Sequence, residues 1–109
     1  MTEIKKLWGP AMPEFPERET AAVLDAASGE TGQAAACFWL FRYLHRHPGP
    51  DETLLGDYCF GRFSEHLSKL DSVPLNDAFA EFLRRDTLEA QSLADYTSFL
   101  RALPGTVTP

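Results

Sequence analysis

The stretch Ala34-Ala35-Ala36-Cys37-Phe38-Trp39-Leu40-Phe41-Arg42-Tyr43-Leu44 decides the fold of this chain. Ala35, Phe38, Trp39, Leu40, Phe41, Tyr43 and Leu44 cover more than one stripe of a helix. A helix that is apolar nearly all round belongs at the centre of a fold. Thr31 is placed to cap it, and the helical pattern runs to about His45. The stretch is too short for the roughly 20 apolar residues of a membrane span, and Arg42 interrupts it.

Working outward, Ser28-Gly29 ends an upstream helix predicted over about Arg18–Ala27, which carries Ala21, Ala22, Val23 and Leu24. Before it, Gly9, Pro10, Pro13 and Pro16 argue against helix, so residues 1–17 read as an extended Pro-rich arm. Trp8, Met12 and Phe15 give that arm a means of docking. Downstream, His47-Pro48-Gly49-Pro50 is the clearest break in the chain. A third helix follows, capped by Asp51 or Thr53 and ending near Leu70, with Gly56, Phe60, Phe63, Leu67 and Leu70 along a heptad-like seam. After Asp71-Ser72-Val73, Pro74 opens a fourth helical segment with Leu75, Phe79, Phe82 and Leu83 on one face. Leu88, Leu93, Tyr96, Leu100 and Leu103 continue the period past a bend or break near Arg85–Thr87, until Pro104-Gly105 stops it. The expected fold is all-α: an antiparallel bundle of about four helices over residues 18–104, the arm before it and a disordered tail over 105–109.

At 109 residues and 12.2 kDa the chain fits one domain with a real core. No apolar block follows Lys5-Lys6, so no signal peptide is read, and a cytoplasmic location is expected. The net charge is -6; residues 1–50 hold six acids and five bases, residues 51–109 ten acids and five bases. An acidic chain without a basic stripe is a poor fit to a phosphate backbone, so no nucleic-acid partner is expected. In the second half Arg84-Arg85 is the only basic pair, and Asp86 follows it directly. Cys37 and Cys59 read as reduced, buried thiols.

Motifs for chemistry are sparse. The glycines form neither GxGxxG nor GxxxxGK[ST], so no nucleotide cofactor is implied. Cys59 and His66 stand two helical turns apart, too far for one zinc ion, and His45 and His47 fit the C-terminal end of a helix dipole. Ser64, Glu65, His66 and Ser68 diverge around their helix, which argues against a nucleophile–base pair. An enzyme resting on His45, His47 or His66 has no substrate to nominate. Asp57 stands out as an acid in the apolar run Leu54–Phe60, with a structural role the stronger reading. No metal or cofactor is expected. Gly56 and Gly61 are the sharper anomaly: each costs about 1 kcal/mol against alanine inside a helix, which points to close approach by another helix.

The run Leu54-Leu55-Gly56-Asp57-Tyr58-Cys59-Phe60-Gly61-Arg62-Phe63 resembles the L-x-G-D-Y helix of the trans-isoprenyl diphosphate synthases. It is nearest to the small, non-catalytic subunit (component I) of heterodimeric heptaprenyl diphosphate synthases. In that family G-D-Y precedes a glycine three residues on and then a Leu-Ser pair; Gly61 and Leu67-Ser68 stand in those places here. The similarity covers residues 31–95. Catalytic members bind magnesium and diphosphate through two DDxxD motifs, whereas this chain has no adjacent Asp pair and is short for the full catalytic fold. The resemblance therefore implies a non-catalytic subunit, not an enzyme. Its partner would be a catalytic prenyltransferase chain or a second copy in a homodimer. The matching helices build the family's dimer interface, which would here comprise Gly56, Asp57, Tyr58, Phe60, Gly61, Phe63, Leu67, Phe79, Phe82 and Leu83. The alternative, unrelated to isoprenoids, is a helical adapter or sensor holding a small apolar ligand among Phe38, Trp39, Tyr58 and Phe63.

Overall fold

In the computed structural model, which describes residues 2–47 and 49–103, every regular element is helical. The helices are α1 (Thr2–Lys6), α2 (Glu17–Ala26), α3 (Gly29–His45), α4 (Pro50–Leu70), α5 (Val73–Leu88) and α6 (Leu93–Arg101). The apolar stretch of α3 is central, as its sequence requires. Ala34 to Leu40 are buried without a gap, and Arg42 and Leu44 continue the buried run. α4 and α2 both pack against α3, and α6 returns to α2.

Two features depart from the bundle of about four helices. First, the extended arm expected over 1–17 is not found: residues 2–6 are helical and Glu17 already opens α2. The prolines begin at Pro10 and leave Thr2–Lys6 free to wind, with Ile4 fully buried. Residues 7–16 carry no regular helix but are docked. Trp8 Nε1 donates to Pro13 O at 2.6 Å, its ring meets Phe15 edge-on at 5.0 Å, and Tyr43 Oη donates to Glu14 O at 2.9 Å. Second, the fourth segment is two helices. Ser92 Oγ accepts from Asp95 N–H, and the Asp95 carboxylate accepts from Ser92 N–H, both at 3.0 Å. That reciprocal cap starts a new helix, so the bend or break expected near Arg85–Thr87 is a break, and it falls a few residues later. The Pro104-Gly105 stop and the tail over 105–109 lie outside the described residues.

Local sequence explains the junctions. Gly29 adopts φ +62 at the α2–α3 turn, a conformation open to glycine at no steric cost. α3 therefore begins two residues earlier than Thr31, after Ser28. Between α4 and α5, Asp71 takes the left-handed conformation at φ 47, and Ser72 Oγ accepts from Leu75 N–H at 3.3 Å. Aromatic rings fill the centre: the Phe38 centroid lies 5.2 Å from Phe63, 5.8 Å from Tyr96, and 6.1 Å from both Phe79 and Phe82. Offset and edge-on ring contacts of this kind add stabilisation beyond the area they bury.

Candidate functional site

The residues singled out along α4 divide into two sets. Leu55, Gly56, Cys59, Phe63 and Leu67 face inward. Gly56 faces α3, where a Cβ would lie 3.6 Å from Leu44 Cβ, an ordinary van der Waals contact. The neighbour of Gly56 is thus a helix of this same chain. Phe79 and Phe82 are likewise core residues at 2% and 1% exposure, while Phe60 and Leu83 are half-buried. The expected apolar seam is therefore largely this chain's own core.

The second set points out. Leu54, Tyr58, Gly61 and Glu65 follow spacings of four, three and four, which align them on one helix face. Leu54 is 69% exposed and Tyr58 38% exposed. Gly61 is exposed, and a Cβ built there would meet nothing within 4 Å. Asp57, read as an acid in apolar surroundings, is exposed beside this face. Being two residues from both Leu55 and Cys59, it falls on the side of the helix opposite the core. The cleft beside the docked N-terminal segment, lined by Leu7, Met12, Leu54 and Tyr58, extends the apolar surface. Charge rims it: Arg62 pairs with Glu3 at 2.9 Å and Glu65 at 2.8 Å, and Asp51 and Asp57 add further carboxylates.

On the other flank of α4 lies a groove shared with α5, enclosing about 480 Å³. Its floor is Phe38, Phe60, Phe63, Leu67, Phe79 and Leu83, and its rim is Ser64, Ser68, Asp71 and Asn76. The pocket expected among Phe38, Trp39, Tyr58 and Phe63 is not formed. Phe38 and Phe63 face the groove, Trp39 stacks on Tyr96 at 4.8 Å, and Tyr58 belongs to the N-terminal cleft.

The reactive side chains are each accounted for by structure. His66 is buried and its Nδ1–H donates to Glu30, tying α4 to the first turn of α3, while Ser64 and Ser68 turn to the groove. His47 Nδ1–H donates to Tyr43 O at 2.7 Å, and the His45 ring stacks on Phe41. Among the described residues no three His, Cys, Asp or Glu side chains converge as a metal site would require. Burial pushes the Cys37 thiol up to about 11 and the Cys59 thiol to about 12. Both are far from nucleophilic near neutrality. No helix among the described residues is long and apolar enough to cross a membrane.

Sequence reasoning passed over the strongest polar constellation. Arg42 Nε donates to Asp86 Oδ2 and Arg42 Nη2 to Asp86 Oδ1, each at 2.7 Å, and Arg42 also donates to Gln91 O. Asp86 Oδ1 accepts from Gln91 N–H at 2.8 Å. The guanidinium lies 4.3 Å from the Trp39 ring centroid, and Trp39 Nε1 donates to Glu19 at 2.7 Å. The signal was an arginine inside an otherwise apolar helix, which demands a buried carboxylate. This cluster joins α3 to the α5–α6 connection and is fully partnered, so it serves architecture.

No protein-family model matches the chain, and no curated protein or solved structure is significantly similar to it.

Proposed function

We propose that the chain is a non-catalytic helical interaction subunit, similar to the small subunit of a polyprenyl diphosphate synthase, that pairs through the outward face of α4. One observation carries the reading. Gly61 sits in the middle of a 21-residue helix with open space beyond it, so nothing among the described residues accounts for a residue costing about 1 kcal/mol there. An incoming helix would account for it, with Leu54 and Tyr58 as apolar contacts above. The Gly56-Asp57-Tyr58 motif fits a division of labour in which Gly56 serves the core while Asp57 and Tyr58 serve the partner. Carboxylates of Glu3, Asp51, Asp57 and Glu65 surround the face against Arg62, with Lys69 a turn beyond Glu65. A second copy would set like charges opposite one another, whereas a catalytic chain presenting bases would complement them.

Light scattering of the pure chain across a concentration series, alone and mixed with a catalytic trans-prenyltransferase chain, tests this. A monomer alone and a heterodimer in the mixture are expected, with Gly61→Leu weakening the heterodimer at least tenfold. A chain that stays monomeric in both samples overturns the prenyltransferase assignment. A heterodimer indifferent to Gly61→Leu overturns the α4 face as its site.

A further inference from the structure

The groove between α4 and α5 carries a second inference, independent of the outward face. We propose that it binds an elongated amphiphile whose apolar chain lies along the phenylalanine floor and whose head group is cationic.

Size and lining come first. About 480 Å³ is within the roughly 300–1,000 Å³ of small-molecule clefts, and an aromatic floor with a few polar groups at the edge is their usual composition. From Phe60 to Asp71 the groove follows α4 for about 16 Å of helix, which suits a linear chain. Phe60 and Leu83 remain half-buried along it, so apolar surface there is still open to water.

The rim selects the head. Asp71 is the one charged residue lining the groove, and no lysine, arginine or histidine lines it. Asp71 also ends α4, so its carboxylate adds to the negative end of the helix dipole. Ser64, Ser68 and Asn76 supply further oxygens. The opening turn of α5 gives an anion little in return, because Ser72 Oγ already accepts from Leu75 N–H and Pro74 has no N–H to offer. Arg84, the nearest base along α5 from Leu83, is engaged by Glu81 at 2.7 Å. A phosphate or carboxylate head would thus find neutral hydroxyl and amide donors but a carboxylate and no base to pair with, whereas an ammonium would meet that carboxylate with hydroxyl and amide acceptors around it.

Calorimetric titration of the intact chain with decylammonium, decanol and decanoate tests the proposal. Decylammonium is expected to bind most tightly, decanol next and decanoate least. Asp71→Asn keeps a residue that tolerates the left-handed conformation and should remove about threefold of the preference for the amine, the scale of an exposed ion pair. Ala80→Trp, at an exposed position on the groove wall, should abolish binding of all three while leaving the melting temperature unchanged. Absence of binding by all three probes overturns the proposal and leaves the groove to a protein side chain. Equal binding of amine and carboxylate overturns the head-group assignment, and binding indifferent to Ala80→Trp overturns the site.

Discussion

At the scale of single residues, the Arg42–Asp86 pair concentrates the most consequence. Both side chains are less than one-tenth exposed, and every polar atom of the carboxylate has a partner. Burial raises the Asp86 pKa, but the Arg42 hydrogen bonds, the Gln91 N–H and the charges of Arg42 and Arg46 outweigh it and hold the group below the usual carboxylate range. A carboxyl depressed on folding contributes stability that is complete above its unfolded value, near pH 4, and is lost as pH falls through the lower folded value. Acid unfolding should therefore begin below about pH 4, and Asp86→Asn should remove that part of the pH dependence. Asp86→Ala leaves Arg42 buried without its counter-charge and should cost about 3–5 kcal/mol in urea denaturation. A loss under 1 kcal/mol would mean that Arg42 escapes to solvent instead. Asp86 was visible in the sequence only as the neutraliser of Arg84-Arg85. Its true partner is 44 residues away, and a pairing at that range leaves no local trace.

At the scale of helices, α3 and α4 were legible because their periodicity is strong and their ends carry punctuation. The central position of α3 followed from its apolar circumference, and the α3–α4 break fell at the proline-rich turn. What was misread had a competing cause each time. α1 was hidden because prolines at 10, 13 and 16 were allowed to speak for residues they do not reach. The α5–α6 boundary was misplaced near Arg85–Thr87 because Leu88, Leu93 and Tyr96 kept the apolar period, while the signal that sets it is Ser92-x-x-Asp95. Of the residues read together as an interface, Gly61 and Tyr58 face outward, while the rings of Phe79 and Phe82 pack around Phe38 in the core, a difference that helical spacing alone does not reveal. A prediction specific to α4 follows. Gly61→Ala should raise the stability of the isolated chain by about 1 kcal/mol, since the added methyl meets open space and the helix gains intrinsic propensity. Thermal denaturation reads this directly, and a fall in melting temperature would show that Gly61 is held by a constraint within the chain.

For the whole molecule, the buried side chains of all six helices form one continuous core that also takes in Trp8, Met12 and Phe15 of the N-terminal segment. Cys37 and Cys59 lie within it at 1% and 0% exposure, with thiols raised far above neutrality. Iodoacetamide at pH 8 should accordingly modify neither cysteine in the folded chain, and labelling across a urea series should coincide with the loss of helix measured by circular dichroism. Labelling well before that loss would reveal an opening confined to α3 and α4. The same thiols link stability to alkali: because their folded pKa values exceed the unfolded value near 9, their contribution is intact below pH 9 and is lost as pH rises toward 11–12. The return of α6 to α2 has a consequence for how the chain is made. Tyr96, fully buried and donating its Oη to Ala35 O at 2.7 Å, covers the rings of Phe38 and Phe82 and is supplied by α6, after the five other described helices. During synthesis on the ribosome the first five helices emerge with those rings uncovered. The nascent chain must hold them from other sticky surfaces until α6 arrives to seal them.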